Sequence, residues 1–154
     1  MINSIPSNFF LVAGTGEGLT PLNAFDAALL SAGIGDINLV KVSSIVPPRC
    51  RKVEPYHFAP GTLVAIAYAD INSTLHGEVV AAGVAVGIPE EPDQAGVIME
   101  YSARGHRQEI EEIVTGMARN ALHRRGLGIR NIECCAVDVK VDTVAAAFAG
   151  VVLI

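Results

Sequence analysis

A chain of 154 residues is long enough for one domain that buries roughly two thirds of its unfolded surface. Half of it is apolar (51%) and its mean hydropathy is +0.42, yet it contains no run of about eighteen apolar residues, which excludes a membrane-spanning helix and sends the excess into buried strands or subunit contacts. Sixteen acidic against eleven basic residues, net charge −5, give a nucleic-acid partner little electrostatic support, and without a basic and apolar leader at the N-terminus a cytoplasmic protein is expected.

The first predicted strand is 9–13. Behind it, Gly14-Thr15-Gly16-Glu17-Gly18 leads toward a helix and is followed at a distance by Asp36, which imitates a dinucleotide fingerprint. The third glycine comes one residue early, and Pro21 removes a backbone donor from the helix start that would hold a pyrophosphate. The segment therefore reads as a tight turn, with a nucleotide-binding module as an alternative that stays open. Thr20 as N-cap, Pro21 at the first helical position and Gly33 as a stop define a helix over 21–32. On it Asp26 is grouped with Leu22, Leu29 and Leu30, at the edge of the apolar face rather than opposite it. A carboxylate there needs a partner, either an arginine of the chain or a guanidinium brought by a ligand.

The strand 37–43 opens with Ile37-Asn38 and ends in Ser43-Ser44, followed by Ile45-Val46-Pro47-Pro48. The two prolines fix φ and make a stiff extended strap after the serines. Strands 62–71, 78–88 and 96–102 come next, and in the last of these Ile98, Glu100 and Ser102 share one face while Val97, Met99 and Tyr101 share the other. A helix over 106–125 carries the stripe Ile110, Ile113, Val114, Met117, Ala118, Ala121 and Leu122, with glutamates early and arginines late, as the helix dipole favours. Strands 131–141 and 144–153 complete the chain. The runs at 79–86 and 144–152 are apolar on both faces, more sheet than two helices can cover, so a sheet packed on a sheet or on another subunit is expected, with helices outside. Cys50, Cys134 and Cys135 have no metal-ligand or disulfide spacing, at least one of the adjacent pair reads as a small buried hydrophobe, and the four histidines are scattered, so no metal site is expected.

The chemistry concentrates at the serine pair. Such a pair before prolines would serve to end a strand in a surface turn. It is also a self-cleavage site in outline: the Ser44 hydroxyl can attack the Ser43 carbonyl carbon and convert the peptide bond into an ester, β-elimination then leaves dehydroalanine, and hydrolysis leaves a pyruvoyl group. An intramolecular attack of this kind gains from enforced proximity. Glu100, among apolar neighbours, is either a rim carboxylate or an acid whose burial raises its pKa into the range useful to a proton donor.

The segments 20–29 and 33–48, taken with Gly96-Val97-Ile98-Met99-Glu100-Tyr101-Ser102, resemble the pyruvoyl-dependent arginine decarboxylases, most specifically in Asn38, Ser43-Ser44-Ile45 and Pro47-Pro48. The resemblance implies an α/β chain of the α+β type folded as a four-layer αββα sandwich, with mixed or antiparallel sheets and two main helices. It implies a single domain cut into residues 1–43 and 44–154, the second beginning with a covalent pyruvoyl group derived from Ser44, and a homotrimer with sites between subunits. L-Arginine is the implied substrate, agmatine and carbon dioxide the products. Asp26 is then the partner of the guanidinium, Glu100 the acid that protonates the carbon left by carbon dioxide, Asn38 an aid to self-cleavage, and Ser43 part of the pocket wall. Another substrate such as histidine, or an uncut trimeric ligand-binding protein, are the alternatives.

Overall fold

The computed structural model describes residues 4–154. Its elements are β1 (Asn8–Glu17), α1 (Pro21–Ser31), β2 (Asn38–Lys41), β3 (Ile45–Val46), β4 (Arg51–Lys52), β5 (Leu63–Ser73), β6 (Val79–Pro89), β7 (Gly96–Arg104), α2 (Arg107–Arg124), β8 (Ile129–Lys140) and β9 (Ala145–Leu153). They form two sheets, one in the order β2-β5-β9-β1-β4 and one in the order β3-β7-β6-β8. The second sheet is antiparallel throughout, while the first pairs β2 with β5 and β4 with β1 in parallel.

Alternation along the central strands explains the layers. In β9, Ala147, Ala149, Val151 and Leu153 face the second sheet, where they meet Ala82, Val84 and Val86 of β6 and Ile98 of β7. The intervening Ala146, Phe148 and Val152, together with Phe10 and Ile66, face α1, where they meet Ala24, Ala28 and Leu29. The outer face of the second sheet is covered by Ile110, Val114, Ala118 and Leu122 of α2. Helix, sheet, sheet, helix is thus the only order in which strands apolar on both faces leave water, and the expected four-layer sandwich is what the chain forms.

Local details depart from expectation in instructive ways. The segment 14–17 is no turn: β1 runs straight through it to Glu17, paired with Ala145–Phe148 of β9. Its glycines face α1 because nothing larger fits. A Cβ on Gly16 would lie 2.5 Å from the Ala28 nitrogen and the Ala27 side chain, and one on Gly14 would collide with the Ala28 carbonyl. On α1 the buried residues are Ala24, Ala28 and Leu29, whereas Leu22 is 75% and Leu30 57% exposed. Of the leucines grouped with Asp26, Leu22 and Leu30 therefore belong to the outer surface and Leu29 to the core. On α2, Ile113 is exposed and Met117 half-buried, at the margins of an otherwise correct stripe. The two-residue strands β3 and β4 were not expected.

Candidate active site where the chain crosses between sheets

β2 lies at the edge of the first sheet and β3 at the edge of the second. The pairing of β2 with β5 continues past Lys41 as the Val42 N–H donates to the Ile66 carbonyl at 3.0 Å. Two residues on, the Ser44 carbonyl already accepts the Ile98 N–H of β7 at 2.7 Å. Only Ser43 separates the two anchors. Val42 and Val46 both pack into the core between the sheets, so the backbone on either side is fixed by burial as well as by hydrogen bonds. Ser43 is exposed and Ser44 half-buried at the margin of that core. After Pro47 and Pro48 the chain turns at Arg49, which takes a left-handed φ of 64°, and the Cys50 N–H closes the turn onto the Pro47 carbonyl at 3.2 Å. The strap is thus a stiff turn that returns the chain to the first sheet through β4.

Glu100 stands two residues beyond Ile98 on β7, hence about 7 Å along the strand from the point where Ser44 is bound. It shares the inward face with Ile98 and lies opposite Val84 of β6. Burial pushes its carboxyl above the ordinary value of 4.5, and the Lys41 ammonium, 3.8 Å from Oε1, pulls the other way. Lys41 Nζ also sits 4.3 Å from the centroid of the Tyr68 ring. β2 pairs only with the first half of β5, and β3 only with the start of β7. Beyond them an open notch of about 340 Å³ remains, lined by Lys41, Tyr68, Asp70, Glu100 and Ser102. The Ser102 hydroxyl donates to the Asp70 carbonyl at 3.0 Å and ties the two strands at its floor.

Asn38 and Asp26 are placed elsewhere. Asn38 begins β2, five residues before Ser43, and extended chain of that length spans roughly 16 Å. Its Nδ2 donates to the Gly61 carbonyl at 3.1 Å. Asp26 is exposed on α1, and among the described residues no ion pair reaches it. Among those residues an internal partner for it is therefore absent. Its helical neighbour Phe25 packs against Tyr68 with ring centroids 6.4 Å apart, which ties α1 to the strand that walls the notch. Lys41 and Tyr68 carried no signal in the sequence. Only the parallel register of β2 on β5 brings them together, and a short edge strand does not announce its partner.

The arrangement suits conversion of Ser44 into a terminal keto acyl group. The residue's carbonyl is held from β7, the residues before it are held from β5, and a cut leaves each end on its own sheet. Among the described residues no group of three His, Cys, Asp or Glu side chains could hold a metal ion, and no helix is long and apolar enough to cross a membrane. A larger concavity of about 510 Å³ at the start of α2, lined by Thr15, His106, Arg107 and Asp138 among others, contains none of these residues. Its floor is filled by the Asp138 carboxylate, which accepts the Arg107 N–H at 2.8 Å.

Residues 8–151 match a family model described as pyruvoyl-dependent arginine decarboxylase. Proteins of that name from Methanococcus vannielii and Methanocaldococcus jannaschii are 43% and 42% identical over 96% and 97% of this chain and 90% of their own length. One from Thermococcus kodakarensis is 39% identical over 96% of this chain and 95% of its own.

Proposed function

The chain belongs to the pyruvoyl-dependent arginine decarboxylase family, and on that premise we propose that it decarboxylates L-arginine to agmatine and carbon dioxide after cutting itself between Ser43 and Ser44. The observation that carries the reading is the single-residue interval between an anchor on one sheet and an anchor on the other, with the candidate nucleophile at its end. Holding both sides of a peptide bond removes the freedom that an intramolecular attack would otherwise have to lose. The Ser44 Oγ attacks the Ser43 carbonyl carbon as the Ser43–Ser44 C–N bond breaks. Elimination then releases the Ser43 carboxylate, and hydrolysis releases ammonia and leaves the keto group on the new chain start. That group supplies an electron sink, conjugated to the substrate nitrogen, for the pair left when carbon dioxide departs.

The remaining work falls to side chains of this chain. Glu100 returns a proton to the α-carbon, and its burial favours the neutral acid that can do so. Asp26 receives the guanidinium through two parallel hydrogen bonds. Exposed beside the outer Leu22 and Leu30, and unpaired among the described residues, it cannot enclose a substrate alone. A second copy covering Leu22 and Leu30 would both bury that apolar surface and bring Asp26 to another copy's Ser44. Asn38, its amide engaged with Gly61 far from its own Ser43, assists the cut across the same boundary. We therefore place the site between subunits of a homotrimer, working in the cytoplasm with arginine as its ligand and no nucleic acid.

Intact mass with an arginine assay tests the reading. The purified protein is expected as two fragments, the longer one blocked to Edman degradation and active on arginine. Ser44→Ala is expected to stay whole and inactive. A wild-type chain that remains uncut with an unmodified Ser44 overturns the proposal.

A further inference from the structure

Glu100 is the strand residue that the chemistry requires, but it does not face the notch alone. From β2 comes Lys41, 3.8 Å from its carboxylate. From β5 come Tyr68, whose ring carries the same ammonium at 4.3 Å, and Asp70, whose backbone carbonyl is tied to Ser102 of β7. From β6 comes Val84, without a charge, and the adjacent Tyr101, on the alternate face of β7, contributes to the lining. Among the described residues Lys41 is therefore the single cation lining the notch, held between a carboxylate and an aromatic face that is attractive to it. A lysine in open solvent has no reason to keep one rotamer, and two rests at these distances give it one.

Resting on the reading of Glu100 as the proton donor, we propose that Lys41 is a positioning residue that fixes Glu100 as a carboxylate at the mouth of the notch, so that this acid takes a proton from the incoming substrate ammonium before giving one to carbon. The balance is closed. The α-ammonium must lose a proton before its nitrogen can bond to a carbonyl carbon, and the Glu100 carboxylate accepts it. When carbon dioxide leaves, the same proton passes from the Glu100 carboxyl to the α-carbon, and the carboxylate is restored beside Lys41. Water supplies the proton that the product amine takes up on release. Burial pushes the Glu100 carboxyl up and the Lys41 ammonium pulls it down, the first favouring donation and the second acceptance. The two opposing influences on this side chain are those the cycle needs.

The geometry exists in the uncut chain, so the first test needs no turnover. Glu100 is followed by carboxyl carbon NMR in a Ser44→Ala background. Replacing Lys41 by Met is expected to raise its midpoint by about one pH unit, and replacing it by Arg to leave it nearly in place. Lys41→Gln, which stays polar at a half-exposed site, repeats the measurement if the Met variant folds poorly. A midpoint unmoved by loss of the charge overturns the proposal. In cleaved enzyme, the acidic limb of kcat/KM is expected to shift by the same amount in Lys41→Met and to return in Lys41→Arg. A limb that stays still while the NMR midpoint moves overturns the proton-uptake step. A wild-type protein without arginine turnover counts against the functional reading instead, and leaves the NMR outcome to judge the Lys41–Glu100 pair by itself.

Discussion

Val42 and Ser44 are hydrogen-bonded to different sheets with one residue between them: the Val42 N–H to Ile66 of β5, the Ser44 carbonyl to Ile98 of β7. The interval is the shortest route from the first sheet to the second, and the polypeptide takes it at the serine pair. Val42 itself and Val46, two residues after Ser44, pack into the core, so neither anchor can relax to relieve the other.

Glu100→Gln separates self-cleavage from turnover. The acyl shift needs Ser44 and the Ser43 carbonyl, so the variant is expected to be cut normally. It lacks a proton to deliver, and kcat is expected to fall about a thousandfold. A fully cut, nearly active variant reassigns the proton to another group.

The same substitution has a sign in stability. The folded protein holds the Glu100 carboxyl above its ordinary 4.5, so the ionised form is disfavoured in the fold. The penalty is absent at low pH and accrues as pH rises from about 4.5 through the raised value. Glu100→Gln is therefore expected to melt higher than wild type at pH 7, with the difference closing as pH falls below about 4. Melting temperatures across pH 3–8, taken in a Ser44→Ala background, check this.

Asp26→Asn keeps the shape and removes the charge. Self-cleavage is expected to survive, and arginine binding to weaken by about 1.5–3 kcal/mol, the range for hydrogen bonds to charged groups. Unchanged KM and kcat on arginine assign Asp26 to the surface.

Asn38 is tested by mixing chains. Asn38→Ala alone is expected to cut slowly or not at all. Co-expressed with Ser44→Ala, which cannot cut but has an intact Asn38, a fraction of the Asn38→Ala chains is expected to be cleaved in mixed assemblies. Cleavage that never appears in the mixture places the action of Asn38 within its own chain.

The adjacent cysteines are expected to react unequally. Burial pushes the Cys135 thiol up to about 12, and its Sγ points to the Val12 carbonyl at 3.7 Å. Cys134 is exposed. Iodoacetamide at pH 8 is expected to alkylate Cys134 and spare Cys135, as peptide mass mapping will show.

Elements whose period and caps are strong were legible in the sequence, and both helices and the long strands fall within a few residues of where their patterns put them. The proposed Ser43-Ser44 site could be put forward from the sequence because its residues stand together in the chain. The extension of β1 through Gly14 and Gly16 was not legible, because glycine signals a turn locally and only the approach of α1 makes it a strand residue here. β3 and β4 have two residues each and exist only through their partners. The surface position of Asp26 was misread for a related reason: Leu22 and Leu30 look like core on a helix considered alone. The Lys41–Glu100 contact depends on a parallel pairing between strands more than twenty residues apart, which no local pattern records.

β1 lies inside its sheet, between β9 and β4, and belongs to the segment ahead of Ser44 with α1 and β2. A cut at the serine pair would thus leave a fragment paired along β9 and clasped at its start by the two-residue β4 of the larger one. The native state would change little, but its unfolded counterpart would become two separate molecules. Recovery after denaturation would then depend on protein concentration, as an association does, and maturation would exchange a chain that can refold alone for a pair that must meet again.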